Sequence, residues 1–180
     1  MHMSIVIAPT TAQRLPEILT VSESSGRDIA SSFGVDRQRV TVVPLGVEHD
    51  VFVPPTKPRV KGRIVTTASA DVPLKGLVPL LEALAKLRTE RDVHLVVVGS
   101  LRKGGATEET LDRLDLNDAV EFVSDVAEAD LVEIFGSAQV AVVPSLYEGF
   151  SLPAVELMSC ATPLVATNAG ALPEVVGPDG

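Results

Sequence analysis

Val93-His94-Leu95-Val96-Val97-Val98-Gly99 is the stretch that decides the fold, because it is a short, mostly apolar run that ends at a glycine. Six residues suit a β-strand and are too few for a typical helix. A strand that is apolar on both faces is typical of the centre of a parallel sheet, where helices cover both sides. We therefore predict a central parallel strand over residues 93–98.

The same unit, a short apolar strand followed by an amphipathic helix, recurs on both sides of this run. Further strands are predicted over residues 18–21, 40–43, 64–68, 120–123, 140–143 and 164–166. Helices are predicted over residues 22–33, 76–87, 107–114, 128–135 and 153–160, with one or two helical turns over 171–176. Ser22 or Ser24 is the expected N-cap of the first helix, and Gly34 lies past its end. Alternating strands and helices imply parallel strands joined by crossover helices, so the predicted fold class is α/β with a doubly wound parallel sheet.

A cluster of prolines marks the internal boundary of the chain. Pro54, Pro55 and Pro58 favour a stiff, extended connection and exclude a helix. We assign residues 1–17 to an N-terminal extension, residues 18–58 to a strand–helix–strand segment with this connection, and residues 59–180 to the main domain. Met1-His2-Met3, at the start of the extension, is expected to be of artificial origin.

Composition and charge narrow the possible functions. The chain has 180 residues, 46% of them hydrophobic, which suits one folded domain with a sizeable core. Its net charge of −9 argues against nucleic acid or an anionic membrane as the main partner. The single cysteine and three scattered histidines give no metal site, and one cysteine fits a reducing, cytoplasmic compartment. No apolar run reaches the ~18–20 residues of a membrane span.

The loop after the strand at 140–143 is the best candidate site, because ligands in such sheets bind beyond the carboxyl ends of the strands. Ser151 is a suitable N-cap residue, and Pro153 is favoured in the first helical turn. The helix dipole strengthens anion binding at such a turn. The predicted anion site consists of the backbone N–H groups of Gly149, Phe150, Ser151 and Leu152.

Two carboxylates lie on either side of this turn. Glu148 is in the loop, and Glu156 lies about one turn into the helix. Carboxylates accept hydrogen bonds from sugar hydroxyls, whereas they repel a bare phosphate. A carboxylate pair beside an anion site therefore suits a ligand that carries both phosphate and hydroxyl groups.

The stretch from Glu148 to Glu156 resembles the E-x(7)-E motif of retaining glycosyltransferases with the two-domain GT-B fold, the glycogen-synthase and sucrose-synthase type of family 4. Residues 168–174, Asn-Ala-Gly-Ala-Leu-Pro-Glu, resemble the G-G-x-x-E loop of that family, and Lys75-Gly76 resembles the K-G that opens a donor-domain helix. The resemblance covers about residues 18–178. It implies the C-terminal, donor-binding half of a GT-B fold, with a Rossmann-like sheet.

The resemblance also implies roles for these residues. Glu148 is expected to contact hydroxyls of the donor sugar, Glu156 the ribose hydroxyls, and the N–H groups of residues 149–152 the diphosphate. Lys75 is expected to neutralise the departing diphosphate, so Glu148 and Lys75 are the catalytic candidates. The remaining donor-binding candidates are Ser124 at the base pocket, and Asn168 and Gly170, with Glu174, near the sugar or phosphate.

One position departs from the family pattern. The usual Arg, five residues before the Lys, aligns with Ala70. Arg102 and Lys103, in the loop after Gly99, are the candidate replacements for that cation.

Two functions stay open at this point. The first is the donor-binding part of a metal-independent glycosyltransferase that needs no cofactor and transfers a sugar with retention. Its partners are the nucleotide-sugar donor and an acceptor-binding N-terminal domain that this chain lacks, so the isolated chain should be nearly inactive. The parent enzyme could still contact a membrane peripherally. The second is a non-catalytic nucleotide-sugar-binding or interaction module that a partner chain completes. We prefer the first; a dehydrogenase is disfavoured because no G-x-G-x-x-G follows a strand.

Overall fold

The computed structural model describes residues 9–68 and 71–177. Met1-His2-Met3 and Ala70, on which two of the sequence interpretations rest, lie outside the described residues. The strands are β1 (Ile18–Thr20), β2 (Val40–Val42), β3 (Arg63–Thr67), β4 (His94–Val98), β5 (Val120–Val123), β6 (Val140–Val143) and β7 (Leu164–Ala166). The helices are α1 (Pro9–Ala12), α2 (Glu23–Phe33), α3 (Leu77–Arg88), α4 (Ala106–Leu114), α5 (Glu128–Ser137), α6 (Leu152–Ser159) and α7 (Leu172–Val176).

The main sheet has five parallel strands in the order β5-β4-β3-β6-β7. The chain builds outward from β3 to β5 on one side and then from β6 to β7 on the other. This reversal is the mark of a doubly wound sheet, so the predicted fold class is confirmed. The switch point lies between β3 and β6, and a ligand crevice is expected at the carboxyl ends of these two strands.

Helices cover both faces of this sheet, each over its own hydrophobic core. Leu95 and Val97 of β4 pack with Leu81 of α3 and Leu111 of α4 on one face. Val96, between them in the chain, packs on the other face with side chains of α5, α6 and α7. Successive side chains of a strand point to opposite faces, which is why the apolar run around 93–98 predicts an interior strand.

The N-terminal segment forms a separate two-stranded parallel sheet of β1 and β2, packed with α2. Ser22 caps α2, since its Oγ accepts a hydrogen bond from the Ser25 N–H at 3.0 Å, and Gly34 ends the helix with a φ of 62°. Both ends agree with the sequence prediction. Residues 43–62 contain no helix, as the proline cluster predicts.

Glu174 of α7 joins this segment to the main domain. Its carboxylate accepts hydrogen bonds from the backbone N–H groups of Glu23 at 2.8 Å and Ser24 at 3.2 Å. Ser25 in turn donates a hydrogen bond from Oγ to the carbonyl oxygen of Gly149 at 3.1 Å. The N-terminus of α2 therefore lies against the loops that follow β6 and β7.

Candidate functional site

Three loops meet at the carboxyl edge of the sheet: the described part of the β3–α3 loop (68 and 71–76), the β6–α6 loop (144–151) and the β7–α7 loop (167–171). The N–H of Leu146 donates to the carbonyl oxygen of Leu74 at 2.8 Å, which joins the first two loops. The N–H of Ala171 donates to the carbonyl oxygen of Glu148 at 2.9 Å, which joins the second and third. Backbone hydrogen bonds thus hold the switch point together.

Two glycines make these close approaches possible. A β-carbon on Gly76 would lie 2.0 Å from the carbonyl oxygen of Pro144, and one on Gly170 would lie 2.3 Å from that of Glu148. Both glycines also have positive φ angles, 66° and 56°, which side chains disfavour. Gly170, a predicted donor-binding residue, therefore packs directly on the backbone of Glu148.

The two predicted catalytic residues form an ion pair. Lys75 Nζ lies 2.7 Å from Glu148 Oε1, and the hydroxyl of Ser145 donates to the same oxygen at 2.6 Å. The Glu148 side chain is 14% exposed and that of Lys75 is 37% exposed. Glu148 Oε2 makes no hydrogen bond within residues 9–68 and 71–177. The carboxylate is thus held by two donors on one oxygen, which leaves the other available to a ligand hydroxyl.

The predicted side-chain cap by Ser151 is wrong. Ser151 has φ 88° and ψ 80°, a left-handed conformation, and its side chain makes no capping hydrogen bond. A side-chain cap requires extended backbone and a donor in the first turn. Here Pro153 has no N–H, and the N–H of Ala154 donates to the carbonyl oxygen of Ser151 itself at 3.2 Å. The Ser151 side chain is only 6% exposed, and its Oγ has no hydrogen-bond partner among the described residues.

The predicted anion site at the start of α6 consists of the backbone N–H groups of Gly149, Phe150, Ser151 and Leu152. Within the part of the chain that the structure describes, none of these four groups donates a hydrogen bond. Backbone N–H groups at a helix N-terminus carry partial positive charge and bind anions. The positive φ of Ser151 is a strained conformation for a residue with a side chain and costs ~1–3 kcal/mol.

Glu156 lies on α6, with a half-buried carboxyl group. Burial raises the pKa of Glu156 above its usual value. Burial, together with the charge of Glu156, also raises the pKa of the Cys160 thiol to about 11, one turn further along the helix. A ligand that donates hydrogen bonds to Glu156 would favour its charged form, since hydrogen bonds to a carboxylate stabilise the ionised state.

The other predicted binding residues make no contact with Glu148 or Lys75 among the described hydrogen bonds and ion pairs. Arg102 and Lys103 are exposed in the loop after β4 and form no ion pair with the described residues. Asn168 is exposed in the β7–α7 loop, and Ser124 is exposed after β5, two strands away from β3. Glu174 caps α2, so its carboxylate is already occupied.

Ser145 is a site residue that the sequence reasoning missed. Its hydroxyl holds Glu148, and its side chain is 3% exposed. It follows β6 by two positions, so the rule that directs attention to loops after strands could have identified it.

The described residues show neither a cluster of metal ligands nor a membrane-spanning helix. Among residues 9–68 and 71–177, no three His, Cys, Asp or Glu side chains lie close enough together to hold a metal ion. In the same ranges, no helix has both the length and the apolar character that crossing a membrane requires.

Comparison with known proteins identifies the family. Residues 51–180 match the family model described as glycosyl transferases group 1. The chain is 52% identical over 169 residues to an MMP alpha-(1->4)-mannosyltransferase from Mycolicibacterium hassiacum, covering 94% of this chain and 41% of that protein. It is 33% identical over 171 residues to a D-inositol 3-phosphate glycosyltransferase from Mycolicibacterium smegmatis, covering 88% and 39%.

A solved structure agrees with these sequence matches. Sucrose-phosphate synthase from Thermosynechococcus elongatus superposes with a TM-score of 0.78 at 25% identity, over 94% of this chain and 45% of that one. The chain therefore spans about two fifths of the length of the curated relatives it matches. The five-stranded parallel sheet is that of the C-terminal domain of a GT-B fold, and the chain belongs to the glycosyl transferases group 1 family.

Proposed function

We propose that this chain binds the nucleoside-diphosphate sugar for a retaining, metal-independent glycosyltransferase. The observation that carries the proposal is the set of four backbone N–H groups, residues 149–152, at the N-terminus of α6. A diphosphate bound there would receive hydrogen bonds from these groups and favourable interaction with the helix dipole.

The side chains around this turn have the chemistry that the rest of a nucleotide sugar requires. Lys75 Nζ is the cation next to Glu148, and we propose that it binds the diphosphate while still contacting that carboxylate. Glu148 Oε2 would accept a hydrogen bond from a sugar hydroxyl, and the half-buried Glu156 would accept those of the ribose. Ser124, Asn168, Arg102 and Lys103 stay as proposed outer contacts with the base, sugar and phosphate.

These positions suggest how the site would assist transfer. The bond between the anomeric carbon and the diphosphate oxygen breaks, and negative charge grows on the departing diphosphate. The N–H groups and Lys75 would stabilise this charge more in the transition state than in the bound donor, which lowers the barrier. Ser145 would keep Glu148 in place during the step through its 2.6 Å hydrogen bond.

The complete reaction requires an acceptor, and we propose that an N-terminal acceptor-binding domain supplies its site. The names of the two curated relatives, a mannosyltransferase and an inositol-phosphate glycosyltransferase, are compatible with transfer of a hexose. The proposal places the protein in the cytoplasm, which suits its single cysteine, with peripheral membrane contact left to the full-length enzyme.

Amide mapping by NMR tests this proposal on the chain itself. Adding UDP, GDP or ADP in the presence of a metal chelator should shift the backbone amide signals of residues 149–152 for at least one nucleotide, with Lys75 affected as well. The corresponding nucleoside, which lacks the diphosphate, is the control and should leave these amides unchanged. Shifts confined to the opposite edge of the sheet, for example around Pro55 and Arg63, would contradict the proposed location.

A further inference from the structure

We propose that Asp71 is a positioning residue, which ties the β3–α3 loop to the N-terminus of α4 and so holds Lys75 beside Glu148. The inference rests on the proposed function, because it concerns how Lys75 is presented to the diphosphate. Asp71 lies four positions before Lys75 and has a positive φ of 60°. Aspartate is among the few residues other than glycine that adopt this conformation readily.

The carboxylate of Asp71 caps a helix whose N-cap residue has no side chain. The N-cap residue of α4 is Gly105. Asp71 Oδ1 accepts hydrogen bonds from the N–H of Thr107 at 3.1 Å and from its hydroxyl at 3.2 Å. Thr107 is 1% exposed, so these bonds are shielded from water. Asp71 therefore accepts the backbone hydrogen bond that the side chain of an N-cap residue usually accepts.

The contact is also tightly packed. A β-carbon on Gly105 would lie 1.8 Å from Asp71 Oδ2, so the carboxylate occupies the space that any larger residue at position 105 would need. The negative charge is favourable at the positive end of α4. The carboxylate thus accepts one backbone N–H and one hydroxyl from the first turn of α4.

Lys75 is also held by contacts on its immediate neighbours in the chain. Just before Lys75, the carbonyl oxygen of Leu74 accepts a hydrogen bond from the N–H of Leu146, and just after it Gly76 packs on Pro144 of the β6–α6 loop. Asp71 adds a contact further towards the start of the same loop. A loop fixed at both ends presents its lysine in one place. Without Asp71, only the contacts of Leu74 and Gly76 hold this part of the loop, so we expect Lys75 to spend less time beside Glu148.

Nucleoside diphosphate titrations of the chain and its variants test the proposal. Asp71→Ala should weaken binding ~3- to 10-fold and Lys75→Ala ~10-fold or more, because each removes the effect of one charged contact. The double variant should bind about as weakly as Lys75→Ala alone, since residues that act through one another are not additive. Asp71→Asn keeps the acceptor oxygen and tolerates the backbone conformation, so it should restore most of the affinity.

Two further variants separate positioning from simple loss of stability. Gly105→Ala should displace the carboxylate and weaken binding as Asp71→Ala does, and adding Gly105→Ala to Asp71→Ala should cost nothing more. Asp115→Ala is the matched control, because Asp115 also has a positive φ, 53°, and ends the same helix. The affinity of Asp115→Ala for the nucleoside diphosphate should equal that of the unmodified chain.

The results separate a failure of the Asp71 proposal from a failure of the proposed function. If the unmodified chain binds a diphosphate and Asp71→Ala binds it equally well, or if the Asp71 and Lys75 effects are simply additive, the positioning role is overturned. If the unmodified chain binds none of the three diphosphates, the proposed function fails, and the role of Asp71 fails with it. Weakened binding that depends on Lys75 and recovers in Asp71→Asn supports both.

Discussion

If the proposed function is right, replacing Lys75 with alanine in an enzyme that joins this chain to an acceptor-binding domain is expected to lower kcat about 10²–10³-fold, with a much smaller rise in KM. The reason is that charge on the diphosphate grows as its bond to the sugar breaks, so a cation beside it contributes most in the transition state. Steady-state kinetics with varied donor concentration separates the two parameters.

Lys57 offers a control for this experiment. Its Nζ lies 2.9 Å from Glu133 Oε1, so it forms an ion pair of similar length, but on the exposed surface near the proline cluster. Lys57→Ala should leave kcat unchanged. If Arg102 or Lys103 also stabilises the departing diphosphate, Lys75→Ala alone should lower kcat less. A variant that lacks both Lys75 and that second cation should then lower kcat much more. An unchanged kcat in Lys75→Ala would remove Lys75 from the reaction.

Glu156 and Glu148 are expected to contact different parts of the donor, the ribose and the sugar respectively. Glu156→Ala should weaken binding of the sugar-free nucleoside diphosphate tenfold or more, because a hydrogen bond to a charged group typically contributes ~1.5–3 kcal/mol. Glu148→Ala removes the ion-pair partner of Lys75 but no proposed nucleotide contact, so it should lower that affinity much less and weaken the sugar-bearing donor most. Calorimetric titration with matched pairs, such as GDP and a GDP-sugar, measures both.

Glu133 supplies the matched control for the two carboxylates, since it lies in the exposed ion pair with Lys57. Glu133→Ala should bind both ligands like the unmodified chain. Equal losses for the sugar-free nucleotide in Glu148→Ala and Glu156→Ala would show that the two roles are wrongly divided.

The fold could be predicted from the sequence because each element has a local signal. The apolar strands are short, and the helices between them start and end at recognisable residues such as Ser22 and Gly34. The predicted element ends agree with the observed ones to within two residues. The 3₁₀ turn at Pro73–Lys75 was missed, because so short a helix has no periodicity to detect.

The site was less predictable, because its geometry depends on contacts between distant loops. The start of α6 follows from a local pattern, since the helix begins at Leu152, one residue before the predicted Pro153, whereas the anion site there stays a prediction. The pairing of Lys75 with Glu148, 73 positions apart, depends on β3 and β6 being neighbours in the sheet. No local rule indicates that pairing.

Helix capping shows the same limitation. Ser151 has the residue type of an N-cap, but the left-handed backbone and the missing N–H of Pro153 prevent it from acting as one. Conversely, Asp71 and Glu174 cap helices in other parts of the chain, α4 and α2. Capping rules describe residues next to a helix in sequence, so they cannot identify caps supplied from elsewhere.

Calorimetric titration of the chain with UDP, GDP and ADP, without added metal, tests the central claim most directly. At least one of these nucleotides should bind with a Kd on the order of 0.1–1 mM, because several donors at the start of α6 are in place but the contacts that this chain alone offers are few. Absence of detectable binding for all three nucleotides at millimolar concentrations would contradict it.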